Sequence, residues 1–323
     1  MRILVTGAAG FIGFHTARRL CRDGHQVVGL DNLNGYYSVE LKQARLAQLA
    51  TYGNFEFHRL DLADKQALLD LFAGQRFDQV IHLAAQAGVR YSIDSPDTYA
   101  QSNLVGFLNV LEACRAYKPA HLIYASSSSV YGLNHKLPYA TSDAVEQPIS
   151  FYAATKRANE LMAHSYAHLY GIPTTGLRFF TVYGPWGRPD MALFKFTDAI
   201  LKGQPIDVYN DGAMSRDFTY IDDIVEALVR LSPLPPEPET GAPNKVYNIG
   251  FGSPVKLLDF IECLEDALNI RAIKHFMPLQ SGDVLNTWAD TRELEARVGF
   301  RPQVTVSTGV PSFVDWYCSY YRV

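Results

Sequence analysis

Tyr152 and Lys156 are the first pair of side chains in this sequence whose types and spacing could do chemistry. On a helix, a separation of four residues puts both side chains on one face. The residues that follow, Arg157 to Tyr170, are mostly good helix formers and include neither Gly nor Pro, so a helix is predicted here.

A phenol beside an ammonium group can act as a base. Free Tyr has a pKa of about 10, and a nearby cation favours the phenolate. Lowering this pKa to near neutrality takes about 4 kcal/mol, roughly what one cation at about 4 Å supplies at an effective dielectric constant of about 20. Tyr152 is therefore a candidate general base, although a surface Tyr and Lys on an ordinary helix would show the same spacing.

The composition is that of a globular protein with one large domain or two smaller ones: 323 residues, 48% hydrophobic, 19% charged, net charge -4. The mild acidity gives no general attraction for nucleic acid or anionic lipid. The cysteines Cys21, Cys114, Cys263 and Cys318 lie far apart, so neither a metal site nor a disulfide framework is predicted. Without a signal sequence or an apolar run of roughly 18 residues, we expect a cytoplasmic protein that binds neither nucleic acid nor membranes.

A glycine-rich turn follows the first predicted strand, Arg2 to Thr6. Gly7, Gly10 and Gly13 precede a predicted helix and a second strand, which together form a βαβ unit typical of dinucleotide binding. Asp31 directly follows the second strand, where a carboxylate can accept hydrogen bonds from ribose hydroxyls and would repel a 2′-phosphate. NAD is therefore favoured over NADP, although a tight turn at the glycines and a turn cap at Asp31 are the simpler alternatives.

Strands and helices alternate through the first half of the chain, which predicts an α/β fold with a doubly wound parallel sheet. Ligands of such sheets bind beyond the carboxyl ends of the strands, where Ala84, Ala85 and a run of four serines, 126–129, are placed. The pattern becomes irregular after residue 180. We predict a dinucleotide-binding domain over 1–180, with parts of 221–250 returning to it, and a smaller α/β substrate domain over 181–323.

Taken together, these motifs resemble the extended short-chain dehydrogenase/reductase family, and within it the nucleotide-sugar 4-epimerases. The resemblance covers essentially the whole chain and adds these segments to the motifs above: Asp61-Leu62, Leu83-Ala84-Ala85, Val130-Tyr131-Gly132, Arg178-Phe179-Phe180 and Arg216-Asp217-Phe218. Three further stretches, 31–37, 86–92 and 178–191, are most similar to members that act on a UDP-uronate. The resemblance implies a Rossmann sheet, a homodimer, and NAD-dependent interconversion of UDP-glucuronate and UDP-galacturonate through a 4-keto intermediate.

The family also implies roles for individual residues. Tyr152 would take the proton of the sugar 4-hydroxyl, with Ser127 sharing it and Lys156 lowering the pKa of Tyr152. The cofactor would be bound by Tyr152 and Lys156 together with Gly7, Gly10, Phe11, Ile12, Gly13, Asp31, Asn32, Asp61, Leu62, Leu83, Ala84, Ala85, Asn103 and Ser126. The substrate would be bound by Ser127 and Tyr152 with Arg90, Ser128, Thr181, Arg188, Val208, Tyr209, Arg216 and Asp283.

Arg188, Thr181 and Ser128 are assigned to a carboxylate at sugar C6, because a guanidinium fork suits a carboxylate. A surface or phosphate-binding role is the alternative for Arg188. Two positions depart from common family patterns. Gln280 stands where many relatives place a phosphate-binding Arg, and Thr181 stands where galactose-type epimerases commonly have Asn.

Other activities are disfavoured by the residues after Ser127. Dehydratases and decarboxylases of the family place acidic residues there, whereas this chain has Ser128 and Ser129. A 4-epimerase of UDP-glucose or UDP-N-acetylglucosamine, a simple alcohol dehydrogenase and a non-catalytic NAD-binding member stay as alternatives.

Overall fold

Thirteen strands are present in the computed structural model, which describes residues 1–238, 241–280 and 282–323. They are β1 (Arg2–Thr6), β2 (Gln26–Asp31), β3 (Phe55–Arg59), β4 (Gln79–His82), β5 (His121–Ser127), β6 (Thr174–Phe179), β7 (Thr181–Tyr183), β8 (Ile206–Tyr209), β9 (Ser215–Arg216), β10 (Phe218–Tyr220), β11 (Asn244–Ile249), β12 (Val255–Lys256) and β13 (Lys274–Met277).

The α-helices follow the strands in alternation through the first half of the chain. They are α1 (Phe11–Arg22), α2 (Val39–Leu49), α3 (Lys65–Gln75), α4 (Tyr91–Asp94), α5 (Pro96–Tyr99), α6 (Gly106–Tyr117), α7 (Phe151–Tyr170), α8 (Ala192–Leu201), α9 (Ile221–Leu231), α10 (Leu257–Leu268), α11 (Arg292–Val298) and α12 (Val306–Tyr321). A π-helical segment, Ala100–Val105, joins α5 to α6.

Seven strands form one parallel sheet in the order β11-β6-β5-β4-β1-β2-β3. Apolar cores cover both of its faces. Ile3 and Val5 of β1 belong to the core shared with Phe14 of α1, whereas Leu4 belongs to the opposite core with Phe107 of α6. The predicted doubly wound parallel sheet is confirmed.

The strand β11 extends this sheet at its β6 edge, and α9 packs against α1. The elements α9 and β11 thus lie beside the first half of the chain, while β8 and β13 form a separate two-stranded sheet. The division into domains 1–180 and 181–323 stays a prediction.

Asp217 lies between the short strands β9 and β10. Its buried carboxylate accepts hydrogen bonds from the backbone N–H groups of Phe251, Gly252 and Ala289, at 2.8, 3.0 and 3.0 Å. This side chain thus anchors two neighbouring segments, and the strands on either side of it have different partners: β9 pairs with β12 and β10 pairs with β7.

No helix in the described residues combines the length and apolar character needed to cross a membrane.

Candidate active site

The carboxyl ends of the central strands open into a cleft of about 800 Å³. One wall comes from the turns after β1, β2, β4 and β5 and from the start of α7. The other wall comes from the segment after β7, α8, β8 and the residues around Asp283. Both halves of the chain therefore contribute to one site.

The turn between β1 and α1 leaves no room for side chains. A Cβ on Gly7 would lie 2.8 Å from the backbone nitrogen of Ala84, and one on Gly13 would lie 2.0 Å from the carbonyl oxygen of Gly7. Gly7 also has a φ of +73°, which favours glycine. At Gly10 the helix starts without a side-chain cap, so backbone N–H groups of its first turn stay available to a ligand.

Asp31 is buried where β2 ends, and it lines the cleft. Its Oδ1 accepts a hydrogen bond from Leu33 N at 2.9 Å, and its Oδ2 accepts one from Ala9 N at 3.2 Å. Burial raises the pKa of Asp31, although the Leu33 N–H and the charge of Lys42 act in the opposite direction. Asp31 therefore caps its turn and also faces the ligand space. Its binding of a ribose stays a prediction.

Ser150 fixes the start of α7, because its hydroxyl accepts a hydrogen bond from Ala153 N at 3.1 Å. Tyr152 and Lys156 follow on the face of α7 that lines the cleft. Lys156 donates from Nζ to the carbonyl oxygen of Ala125 at 2.9 Å, and burial lowers its pKa to about 8.

The pKa of Tyr152 differs from the sequence-based expectation. Burial raises it, while a hydrogen bond with Ser127 and the charge of Arg188 lower it. The predicted decrease caused by Lys156 is not what the fold produces, because burial of the phenol outweighs the lowering effects and the Lys156 ammonium is directed at a carbonyl oxygen.

A buried ion pair holds β5, β6 and α7 together behind the site. Arg178 donates to Glu160 from Nε and Nη2 at 2.8 and 2.9 Å, and Ser126 donates to the same carboxylate at 2.6 Å. Burial opposes ionisation of Glu160, but the Arg178 hydrogen bonds and charge outweigh it and lower the pKa of Glu160. The positions of Ser126 and α7 are thereby tied to one another.

Arg188 lies at the end of the cleft near Tyr152, and two of its nitrogens already have an acceptor. Its Nε donates to Asp190 Oδ1 at 3.0 Å, and its Nη2 donates to Oδ2. Tyr36 donates its hydroxyl to the same Oδ2 at 3.1 Å. Arg188, which the sequence assigned to a substrate carboxylate, is therefore already paired with a carboxylate of the protein.

At the other end of the second wall, Arg90 pairs with Asp283 at 3.1 Å and stacks over the ring of Tyr209, with 4.9 Å between the guanidinium carbon and the ring centre. Arg216 donates from Nη1 to the carbonyl oxygens of Ser215 and Leu285. Two cations and one aromatic ring, all of which the sequence assigned to substrate binding, thus line this wall of the cleft.

Comparison with known proteins decides the family. Residues 3–250 match the model of the NAD dependent epimerase/dehydratase family. The chain belongs to this family. The predicted resemblance is confirmed, because this match spans more than half of the chain.

Members of the family with full-length similarity include two bacterial proteins. Protein CapI of Staphylococcus aureus is 54% identical, with 100% of both chains covered. A probable UDP-glucuronate 4-epimerase of Rhizobium meliloti (strain 1021) is 52% identical, with 100% of this chain and 98% of the relative covered. The crystal structure of UDP-glucuronic acid 4-epimerase from Bacillus cereus in complex with UDP-glucuronic acid and NAD has a TM-score of 0.91 and 35% identity, covering 99% of this chain and 100% of that one.

Two of the predicted binding residues do not line the cleft of this family member. Asn103 is buried in the π-helical segment, where it exchanges hydrogen bonds with the backbone of Gln86 and donates to Thr155. It supports the loop after β4 from behind. Val208 is fully buried because alternation along β8 turns Ile206 and Val208 inward and Tyr209 toward the cleft. Every other predicted binding residue lines the cleft.

Arg45 is the most informative residue that the sequence did not reveal. It is fully buried in α2. Its Nη1 donates to the carbonyl oxygen of Ala9 at 2.8 Å and to the hydroxyl of Tyr37 at 2.9 Å, and its Nη2 donates to the carbonyl oxygens of Trp186 and Gly187 at 2.7 and 3.1 Å. One side chain thus connects the glycine turn to the segment that carries Arg188.

Within residues 1–238, 241–280 and 282–323, no group of three His, Cys, Asp or Glu side chains is arranged to hold a metal ion.

Proposed function

We propose that this protein is a 4-epimerase that interconverts UDP-glucuronate and UDP-galacturonate through a 4-keto intermediate with tightly bound NAD. The observation that carries the proposal is that the candidate general base Tyr152 and the cation Arg188 share one cleft. Ser127 lines the same cleft, and both Ser127 and the charge of Arg188 act to lower the pKa of Tyr152 against the effect of burial. The Rhizobium and Bacillus proteins, which carry this activity in their names, support the same sugar.

The turn at Gly7 to Gly13 fits NAD. Its backbone can approach a pyrophosphate closely, since added Cβ atoms would overlap the backbone, and the uncapped start of α1 offers N–H groups and the positive end of the helix dipole. Asp31 would hold the adenine ribose, and Lys156 the nicotinamide ribose. When bound, NAD would accept a hydride from sugar C4 and return it, and its positive charge would favour the phenolate form of Tyr152.

Tyr152 would hold the proton of the sugar O4 while the ketone exists, and then return it to the same oxygen. The Ser127 hydroxyl would stabilise the phenolate by hydrogen bonding. Arg90, Tyr209 and Arg216 would bind the UDP portion, supported by their place on the opposite wall of the cleft. The sugar could then turn over while the nucleotide stays bound.

A carboxylate at C6 would be held by Arg188, Thr181 and Ser128, which all line the cleft. The 4-keto intermediate of a uronate is a β-keto acid, which loses CO₂ when the breaking carbon–carbon bond aligns with the ketone. Holding the carboxylate at a fixed angle would prevent that alignment.

One observation favours a second candidate, a 4-epimerase of a neutral UDP-hexose. Asp190 neutralises Arg188, so the cleft holds less positive charge for a substrate carboxylate than the sequence suggested.

The experiment that separates these candidates is incubation with UDP-glucuronate, UDP-glucose or UDP-N-acetylglucosamine without added NAD, followed by NMR of the products. We expect UDP-galacturonate from the first sugar and little conversion of the other two. Accumulation of NADH absorbance on adding NAD would indicate a dehydrogenase, and no change at C4 in any sugar would indicate a non-catalytic member.

We also propose a cytoplasmic homodimer, with α6 and α7 pairing against their copies in a partner subunit. Leu108, Leu161 and Leu169 on these helices are 40%, 55% and 63% exposed, which supports an apolar contact surface. A monomeric mass by light scattering at micromolar concentration would exclude the dimer, and cell fractionation would test the location.

A further inference from the structure

Tyr36, Arg188 and Asp190 form a chain of hydrogen bonds at the sugar end of the cleft, which we call the Tyr36–Asp190 clamp. Tyr36 comes from the loop after β2, whereas Arg188 and Asp190 come from the segment after β7. The tyrosine and the aspartate are 154 residues apart in the chain, yet the phenol oxygen lies 3.1 Å from Asp190 Oδ2. All three side chains line the cleft.

The clamp holds one particular edge of the guanidinium. Asp190 takes the Nε and Nη2 donors of Arg188. A guanidinium is planar and carries five N–H donors, so the edge formed by Nη1 and the second Nη2 hydrogen is left. In the described part of the chain, Nη1 makes no hydrogen bond with a protein acceptor. That edge can take a second carboxylate with two parallel hydrogen bonds.

The electrostatic effect of Asp190 opposes simple attraction of an anion. Burial works against its ionisation, but the charge and hydrogen bonds of Arg188 lower the pKa of Asp190, so it is ionised at neutral pH. An ionised Asp190 cancels the charge of Arg188 and would repel a substrate carboxylate. A site selected only for affinity would gain from an unpaired Arg188, so the pairing with Asp190 indicates that the orientation of the Arg188 guanidinium is what matters.

We propose that Tyr36 and Asp190 are positioning residues that fix the Nη1–Nη2 edge of Arg188 against the substrate carboxylate, and that this fixed direction suppresses CO₂ loss during epimerisation. The inference rests on the proposed function. In the suppressed reaction the C5–C6 bond breaks and C6 leaves as CO₂. The electron pair moves into the C4 carbonyl to give an enolate, and C5 takes a proton. Return of the hydride removed earlier from C4 then gives a UDP-pentose.

The test uses Asp190→Asn, which keeps the size and removes the charge, and Tyr36→Phe, which removes one hydroxyl. Each protein is incubated with UDP-glucuronate, and UDP-galacturonate and UDP-pentose are quantified by NMR. Loss of a charge-assisted hydrogen bond changes a rate by about ten-fold or more. We therefore expect the ratio of UDP-pentose to UDP-galacturonate to rise about ten-fold in Asp190→Asn and by less in Tyr36→Phe. The KM for UDP-glucuronate should stay equal or fall in Asp190→Asn, since Arg188 regains its charge.

Asp290→Asn is the matched control. Asp290 accepts from Nε and Nη2 of Arg292, two residues further on, in the same arrangement, but this pair does not line the cleft. The control should leave the product ratio unchanged. Thermal unfolding of each variant separates a loss of fold from a change in products. If Asp190→Asn is unstable, Tyr36→Phe still tests the clamp.

Each outcome decides one proposal. No UDP-galacturonate from the unmodified protein would overturn the proposed function itself. Normal epimerisation with an unchanged product ratio in folded Asp190→Asn and Tyr36→Phe would overturn the clamp alone. A rise in KM with an unchanged product ratio would also overturn the clamp, because Asp190 would then contribute to substrate binding and not to the orientation of Arg188.

Discussion

The two ends of the cleft are built in different ways. At the cofactor end, Gly7 and Gly13 allow backbone segments to approach closely, and Asp31 accepts a hydrogen bond from Ala9 N, 22 residues away. The sugar end is formed by side chains from distant segments: Arg45 donates to the carbonyl oxygen of Trp186, 141 residues away, and Arg188 pairs with Asp190, which also accepts from Tyr36. The difference shows that one end depends on close backbone approach and the other on the pairing of charges.

Tyr152 lies between the two ends, and its loss should have the largest effect. A positioned general base contributes about a hundred- to ten-thousand-fold to a rate, so Tyr152→Phe should reduce epimerisation by that factor while the fold and bound NAD persist. Steady-state rates, NAD content and circular dichroism measure the three quantities. Activity within a few-fold of the unmodified protein would remove Tyr152 from the mechanism.

Arg45 connects the two ends, so its replacement should damage both. Arg45→Met leaves the carbonyl oxygens of Ala9, Trp186 and Gly187 without their donor, and each unsatisfied buried group costs about 1–3 kcal/mol. We expect the free energy of unfolding in urea to fall by about 3 kcal/mol. Arg22→Met, which removes an exposed guanidinium on α1, is the control and should change stability little.

Arg188→Ala should act at the sugar end alone. Removing a charge-assisted hydrogen bond costs about 1.5–3 kcal/mol, or roughly ten- to a hundred-fold, so turnover of UDP-glucuronate should fall by that factor and UDP-pentose should appear. Turnover of UDP-glucose should change much less. Equal losses on both sugars would place Arg188 at the diphosphate, and an unchanged uronate rate would mean that it does not touch the substrate.

Asp31→Ala, combined with an introduced Arg nearby, should act at the cofactor end and have the smallest effect. The variant should bind NADP more tightly relative to NAD, because the carboxylate that repels a 2′-phosphate is gone. Titration calorimetry with both cofactors measures the ratio. Equal affinity of the unmodified protein for NAD and NADP would show that Asp31 does not select the cofactor.

The difference between the two ends of the cleft also explains which features could be predicted from the sequence. The strand, glycine turn and helix from Arg2 to Arg22 follow from local patterns, and the structure gives the predicted bounds of the strand. The alternation of Ile206 and Val208 with Asp207 and Tyr209 could also have shown that Val208 faces inward.

The sugar end could not be predicted in this way. No apolar stripe marks the helix α2 in the sequence, because its buried face carries Lys42 and Arg45 beside Leu41. The pairing of Tyr36 with Asp190 depends on the fold of the whole chain, and no local spacing of residues predicts it. The rise in the pKa of Tyr152 depends on burial, which the Tyr152–Lys156 spacing does not report.

The central claim is that the C4 hydrogen leaves the sugar and returns to the same carbon on the opposite face. UDP-glucuronate labelled with deuterium at C4, incubated with the protein in ordinary water without added NAD, tests it most directly. We predict UDP-galacturonate that keeps the deuterium at C4, with no accumulation of NADH, by proton and deuterium NMR and by absorbance. UDP-galacturonate that has lost the deuterium to solvent would contradict the account.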